Sequence, residues 1–454
     1  MNIIIVGAGK VGITIGEQLS SENHNITIID LNQKKVEEAE EKFDVMGVVG
    51  NGASYQVQME AGVMDAELLI AVTGADELNL LCCLIAKKAG KCQTIARVRN
   101  PIYSKEVNFI KRQMGLSVVI NPELAAAQEI SKLLRLPYAK KVDTFARGRV
   151  EMVKFRMHPE LHMDGLKVAV ILSKMKCDVM ICGVERLKER KVVIPNGDFI
   201  LRDGDLVSMM AVPRETAKFF KKMGIPTHQV KSTLIVGGGM IAFYLAKQLL
   251  EMRVDVRIIE QNKERCEMLS EELPDATILQ GDGTDKEFLL EEGLAHTESL
   301  VALTNMDEEN LMLALLARKY SEAKLVAKVN RIHFEEVIDD LDIDSIIYPK
   351  NLAAEHIVRY TRAMQNSLGS NVETLYKVMD GAAEALEFVI REESHVTNRT
   401  LRELSLKDNL LVCYISRFGK LKMARGQDML KVGDSVIVVT THKGLNDITD
   451  ILKY

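Results

Sequence analysis

Residues 1–12 read MNIIIVGAGKVG, and residues 233–242 read TLIVGGGMIA after Lys231 and Ser232. In both places a run of Ile, Leu and Val, the mark of a strand buried on two faces, runs into glycines and then into an amphipathic helix. The first copy carries Gly7, Gly9 and Gly12 at the GxGxxG spacing. Gly7 suits a tight turn, Gly9 lets a diphosphate approach the backbone, and Gly12 lets helix pack closely on strand. Val11, Ile15 and Leu19 continue an apolar helical stripe, and a second strand over 25–29 ends at Asp30, placed to accept ribose hydroxyls. In the second copy Gly237, Gly238 and Gly239 precede a helix, and a strand over 255–259 ends at Glu260. Glycine turn and acid are 23 positions apart in both copies (30 − 7 and 260 − 237). Two chance glycine turns would not share that spacing.

The order of elements continues the repeat. A strand over 45–49 ends at Gly50-Asn51-Gly52-Ala53, and its counterpart over 276–279 ends at Gly281-Asp282-Gly283-Thr284. Asn51 and Asp282 are placed to hydrogen-bond an adenine or ribose edge, with a plain Asx turn as the bland alternative. Strands over 68–72 and 300–303 end at Thr73-Gly74 and Thr304-Asn305, each before an acidic helix start that the helix dipole alone accounts for. The fifth strands, over 94–98 and 325–329, carry Arg97 and Arg99 in the first half and Lys328 and Arg331 in the second. Ligands of open α/β sheets sit beyond the carboxyl ends of the strands, so these cations are placed to meet phosphates. Asn51 and Asp282, Thr73 and Thr304, and Arg97 and Lys328 are each 231 apart (282 − 51, 304 − 73, 328 − 97). The reading is α/β, two tandem doubly wound parallel sheets running to Ile120 and Ile347.

Asn121-Pro122 and Tyr348-Pro349 then start one more helix each, with proline at its first position. Ile130, Leu133, Leu134 and Leu136 give the first of these an apolar face suited to a partner. From Lys141 the periodicity changes to short strands over 150–155, 178–184, 191–194 and 206–212, separated by turns such as Arg202-Asp203-Gly204-Asp205. The second half repeats this from Glu387, with strands over 410–415, 420–424 and 435–440 and the turn Lys431-Val432-Gly433-Asp434. Each parallel sheet is thus followed by a small α+β C-lobe. The expected domains are 1–137, 138–228, 229–366 and 367–454.

Composition narrows the function classes. With 454 residues and 47% apolar content, three to four domains can each bury a core. The 59 basic and 64 acidic residues give a net charge of −5, no electrostatic case for nucleic-acid binding. Seven cysteines, Cys82 and Cys83 adjacent, suggest a reducing compartment, and Cys177 and Cys182 read as buried small hydrophobes. The chain goes straight into a strand without a signal-peptide core, and no apolar run approaches the ~20 residues needed to span a bilayer. A cytoplasmic protein is expected. His158 and His162 have helical ligand spacing, but Pro159 intervenes and no third ligand stands nearby, so a loop pair is expected rather than a metal site. The basic groups Lys140-Lys141 and Arg186, Lys188, Arg190 and Lys191 read as solvated faces. A dehydrogenase would need an acid or base beside a nicotinamide, and the small lobes offer no cluster of His, Lys or Tyr for it.

The whole pattern resembles the tandem RCK (KTN) regulatory subunits of bacterial Trk potassium uptake systems. GAGKVG with Asp30, GNGAS, the ARVR stretch at 96–99 and PNGDFILRDGD at 195–205 carry the resemblance, which recurs through GGGMIA, Glu260, GDGT and LKVGD. It implies Rossmann lobes that bind NAD or NADH, with ATP or ADP as alternative ligands. Gly7, Ala8, Gly9, Lys10, Val11 and Gly12 would cradle the diphosphate, Asp30 the ribose, Thr73 and Gly74 would line the pocket, and Arg97 and Arg99 would reach phosphates. Gly237, Gly238, Gly239, Met240, Ile241, Glu260, Asp282, Thr304 and Lys328 would do the same in the second half. The two carboxylates favour an unphosphorylated ribose, hence NAD over NADP. The resemblance further implies no catalysis, a homo-oligomer, most simply a tetramer, and a peripheral place on the inner face of the membrane. There it would gate a membrane potassium transporter subunit of the TrkH or TrkG type.

Overall fold

The computed structural model describes the chain except residues 147, 187, 188, 190, 226, 331–337, 339–340, 367–371, 380 and 454. The expected cations Lys188, Arg190 and Arg331 lie outside the described residues.

The first half opens with six strands, β1 (Asn2–Val6), β2 (Asn25–Asp30), β3 (Val45–Val49), β4 (Leu68–Ala71), β5 (Gln93–Arg97) and β6 (Val118–Ile120). All pair in parallel, in the order β3-β2-β1-β4-β5-β6. Helices such as Lys10–Ser20 and Asp76–Ala89 make the crossovers, which is why β1, with Ile3, Ile4, Ile5 and Val6 buried, needs no polar face. A five-stranded antiparallel sheet follows, of β7 (Lys141–Phe145), β8 (Val150–Arg156), β9 (Val179–Arg186), β10 (Lys191–Val193) and β11 (Leu206–Ala211), in the order β10-β9-β11-β8-β7.

The second half repeats both. β12 (Ser232–Val236), β13 (Asp255–Glu260), β14 (Thr277–Gln280), β15 (Ser299–Ala302), β16 (Lys324–Lys328) and β17 (Ser345–Ile347) form a parallel sheet ordered β14-β13-β12-β15-β16-β17. Then β18 (Val372–Val378), β19 (Ala383–Val389), β20 (Leu410–Arg417), β21 (Lys420–Met423) and β22 (Ser435–Thr440) form an antiparallel sheet ordered β18-β19-β22-β20-β21. The expected fold class is borne out.

Contacts within the chain group these sheets into two compact units. One holds 1–131 with 231–358, hence both parallel sheets; the other holds 132–230 with 359–454, hence both antiparallel sheets. In the second unit one apolar cluster joins the two small sheets, including Cys182, Met210, Val378, Met379, Cys413 and Val439. A side-chain carbon on Gly183 would stand 1.7 Å from Met379 Cε, so this glycine is the socket for that methionine.

Three expectations need correction. The strands β7 and β18 were not anticipated, and β19 begins before Glu387, because KVDTF and VETLYKV dilute their apolar positions with charge and hydroxyl. Ile130, Leu133, Leu134 and Leu136 are all under 8% exposed within the single chain, so this face is not held open for a partner. Cys182 is buried, but Cys177 is only half-buried.

Candidate functional site

β1 and β4 are neighbours whose crossovers depart to opposite sides, and the crevice at their carboxyl ends is where a doubly wound sheet takes its ligand. Gly7 turns the chain out of β1 with φ +108, and Gly237 does so after β12 with φ +100. Only glycine adopts this conformation freely. The turns are tied down alike: Gly7 N–H donates to Ile29 O at 2.7 Å and Gly237 N–H to Ile259 O at 2.8 Å. A side-chain carbon on Gly12 would lie 1.8 Å from Gly7 O, so the helix rests directly on the turn. At Gly9 and Gly239 the same construction meets nothing within 4 Å. These residues begin the helices Lys10–Ser20 and Met240–Glu251, whose first amides lack helical partners, and the open space above them fits an anion.

The two carboxylates sit beside the turns and are held by them. Asp30 Oδ2 accepts from Ala8 N–H at 2.7 Å and Oδ1 from Asn32 N–H at 2.9 Å. Glu260 Oε2 accepts from Gly238 N–H at 2.8 Å and Oε1 from Asn262 N–H at 2.9 Å. Each oxygen keeps a lone pair for a ribose hydroxyl.

Asn51 makes the Asx turn that was the bland alternative, its Oδ1 accepting from Ala53 N–H at 3.0 Å. Asp282 does the same toward Thr284 N–H at 2.8 Å and Thr284 Oγ1 at 2.7 Å, and these bonds hold its carboxyl below the usual range. Thr73 and Thr304 end the fourth strands, and sequence reading missed the residues that fix them. Fully buried Asn79 accepts from Thr73 N–H and Thr73 Oγ1, both at 2.7 Å, and donates to Arg97 O at 2.9 Å. Asn310 accepts from Thr304 N–H at 2.8 Å and donates to Lys328 O at 2.9 Å. One amide thereby ties the ends of two neighbouring strands. The missed signal was in the numbering, since Asn79 and Asn310 are 231 apart (310 − 79), in step with the threonines.

The cations are more engaged than their positions suggested. Arg97 donates from Nη2 to Glu123 Oε1 at 2.7 Å, while Arg97 Nε and Glu123 Oε2 are buried without a hydrogen-bond partner among the described residues. Arg99 hydrogen-bonds Gly74 O, and its Nε lies 3.5 Å from Asp76 Oδ1. Asp76 also accepts from Arg99 and Asn100 N–H, both at 2.8 Å, so this acid shapes the loop after β5. Lys10 is exposed at the helix start. Lys328 is buried and donates to Leu303 O at 3.2 Å.

Burial pushes the Lys328 ammonium below its ordinary 10.5; the charge of Lys10 lowers it further, against Asp307 and Glu123. The unfolded chain therefore binds more protons than the folded one in the window just below 10.5, and stability rises with pH there. Lys328→Met keeps the stem and deletes the buried charge. The expected result is a gain of roughly 1 kcal/mol at pH 7 and a flatter rise toward pH 10, read by denaturant unfolding at several pH values. A loss of stability would contradict this account.

Within this unit the second half touches the first beside the site. Tyr244, on the helix that follows the second glycine turn, donates its hydroxyl to Arg99 O at 2.7 Å and accepts from Asn121 Nδ2 at 3.1 Å. Elsewhere, His158 and His162 flank a 3-10 turn, and no group of three or more His, Cys, Asp or Glu that could hold a metal occurs among the described residues. No described helix is long and apolar enough to cross a membrane.

Residues 3–122 and 233–349 match the TrkA-N domain, and residues 385–453 match the TrkA-C domain. The chain is 32% identical to a Trk system potassium uptake protein TrkA homolog of Archaeoglobus fulgidus, covering all of both chains. It is 30% identical to TrkA homolog 1 of Methanosarcina mazei, again over the full length of both. Among solved structures it resembles the GsuK channel bound to NAD, with a TM-score of 0.63 at 17% identity, over 97% of this chain and 76% of that one.

Proposed function

Since the chain belongs to the TrkA family of potassium uptake proteins, we propose that it is a nucleotide-binding regulatory subunit that gates a membrane potassium transporter. The observation that carries the reading is the pair of glycine turns. Each leaves open space over a helix start, and each has a carboxylate anchored by its own amides. Adenine dinucleotides fit that arrangement, with NAD or NADH first and ADP or ATP as alternatives. The residues from Gly7 to Gly12, Asp30, Thr73 and Gly74 would hold the ligand in the first half. In the second, the residues from Gly237 to Ile241, Glu260 and Thr304 would do so. Arg97, at the carboxyl end of β5, would meet added phosphate charge on release from Glu123. Asn51 and Asp282, being occupied by their own turns, would shape the rim.

Regulation requires that ligand bind one arrangement of the lobes better than another. In this reading Arg99 would transmit the change. Its side chain lies over Gly74 at the first site while its carbonyl accepts the Tyr244 hydroxyl of the second half. The four lobes 1–137, 138–228, 229–366 and 367–454 are proposed as the working parts, with one chain supplying two nucleotide sites. A homo-oligomer of four such chains on the cytoplasmic face of the membrane completes the proposal. Its support is now the exposed Leu81, Ile102 and Phe109, the first two on neighbouring helices linked by the Tyr103–Glu77 hydrogen bond.

The test is a titration of the purified protein with NADH, NAD, ADP and ATP, followed by melting temperature and calorimetry. The expected outcome is stabilisation of about 2.7 kcal/mol at a hundred times the dissociation constant, with NADH unconsumed. Absence of binding by all four, or steady substrate-dependent oxidation of NADH, would defeat the proposal.

A further inference from the structure

The two ribose ends of the glycine turns are not alike. Arg265 stands where the first half has Lys35, at the same offset as the turns (265 − 35 and 237 − 7, both 230). Lys35 is exposed, whereas Arg265 is half-buried in the first turn of the helix Lys263–Glu272, its N–H bonded to Asn262 Oδ1 at 2.9 Å. Its Nε donates to Gly238 O at 2.6 Å, and its Nη2 reaches Gly239 O at 3.5 Å. The amide of the same Gly238 donates to Glu260 Oε2. Guanidinium and carboxylate therefore flank one residue of the turn.

That placement changes the electrostatics where a nucleotide ribose would lie. A carboxylate alone at this position accepts ribose hydroxyls and repels a ribose phosphate, while an arginine nearby accommodates the phosphate. The first half has the carboxylate of Asp30 and a lysine in solvent. Both oxygens of each carboxylate are held by backbone amides, so it is the arginine and not the acid that distinguishes the second half. Arg265 adds a fixed positive charge on the same turn residue that Glu260 holds, and the guanidinium keeps N–H groups without a hydrogen-bond partner among the described residues. A planar fork of this kind meets a phosphate with two parallel charge-assisted bonds, which a lysine cannot do.

We propose that Arg265 makes the second glycine turn a site for adenine dinucleotides phosphorylated on the ribose, the NADP(H) class, while the first turn accepts the unphosphorylated class. The chain would then read two dinucleotide pools. This rests on the nucleotide-binding reading above, and it reverses for the second half the preference that Glu260 alone implies.

The experiment isolates each site by placing an acid in the open anion cradle of the other, Gly9→Glu to leave the second site and Gly239→Glu to leave the first. NADH and NADPH are titrated against both full-length variants, alone and combined with Arg265→Ala or Arg265→Lys, with melting temperatures recorded. In the Gly9→Glu chain NADPH is expected to bind at least as tightly as NADH. Arg265→Ala should lower the ratio of NADPH to NADH affinity about tenfold, and Arg265→Lys should restore it in part. In the Gly239→Glu chain NADH should be preferred, and Arg265→Ala should leave that ratio unmoved. If the Gly9→Glu chain binds NADH and rejects NADPH, the assignment falls while nucleotide binding stands. Equal loss of both ligands on Arg265→Ala would make the guanidinium a mere tether of the turn and would also overturn it. If the Gly9→Glu chain binds neither, the assignment falls together with the nucleotide reading of that site.

Discussion

The Gly9→Glu variant will fold and melt like the parent chain and will lose its first nucleotide site, with affinity falling about a hundredfold or more. The two halves of this expectation come from the same geometry. Gly9 has φ −79 and ψ −178, extended backbone open to any residue, and a side chain there meets nothing within 4 Å. A carboxylate at a helix start is mildly favourable in itself, by roughly 0.3–1 kcal/mol. Once in place it would fill the space proposed for a diphosphate and set like charge against it. Gly239, with φ −67 and ψ −171 and equal room, should likewise lose its site in the second half, with the new carboxylate set beside Arg265. Gly12→Ala is the instructive contrast, because its new carbon would press on Gly7 O at 1.8 Å and must cost stability before it costs binding. Calorimetry on the folded variant decides the matter: NADH binding with two sites of unchanged affinity in Gly9→Glu would mean that the cradle lies elsewhere.

What the sequence made legible follows from the physics of each signal. The parallel sheets announced themselves because strands buried on both faces must be runs of Ile, Leu and Val, as in residues 3–6 and 234–236. Their glycine turns were legible because φ near +100 leaves few alternatives at Gly7 and Gly237. The repeat then made each weak motif support its twin. Edge strands β7 and β18 escaped because an edge tolerates charge on alternate positions, and KVDTF carries only Val142 and Phe145 as buried anchors. The cations escaped in a different way. Position placed Arg97 and Arg99 at the carboxyl end of β5, yet their present partners, Glu123 and the carbonyl of Gly74, depend on side-chain directions that spacing does not encode. Asn79 and Asn310 were hidden because an asparagine inside a helix looks like surface until burial shows otherwise. The apolar turn at residues 130–136 misled for the opposite reason, since an apolar face says that something covers it and not what.

The small lobes carry a second repeat whose value is structural, and it yields the largest expected change in stability. In the turns Arg202-Asp203-Gly204-Asp205 and Lys431-Val432-Gly433-Asp434 the final acid is almost wholly buried. Asp205 receives Arg186 through Nε and Nη2, both at 2.9 Å, and the N–H of Arg202 at 2.9 Å. Asp434 receives Arg417 through Nε and Nη2 and the N–H of Lys431, all at 2.8 Å. Each arginine also bonds the strand-side carbonyl of Ile200 or Met429, so the fork closes the turn onto β9 or β20. Removing one partner of a buried pair typically costs about 3–5 kcal/mol, because the remaining charge keeps its desolvation without its compensation. The exposure of the arginine sets where in that range each site falls. The Arg186 side chain is 17% exposed and the Arg417 side chain 38%, so water can recover more of Arg417. Asp205→Ala should therefore cost more than Asp434→Ala, despite the exposed Glu189 standing 3.8 Å from Arg186. Because a chain of two units need not unfold in one step, hydrogen exchange of β8, β9 and β11 against β19, β20 and β22 is the suitable measurement. Each substitution should lower protection in its own sheet first. Equal protection losses, or the larger loss at Asp434, would show that solvent access to the arginine does not set the strength of the fork.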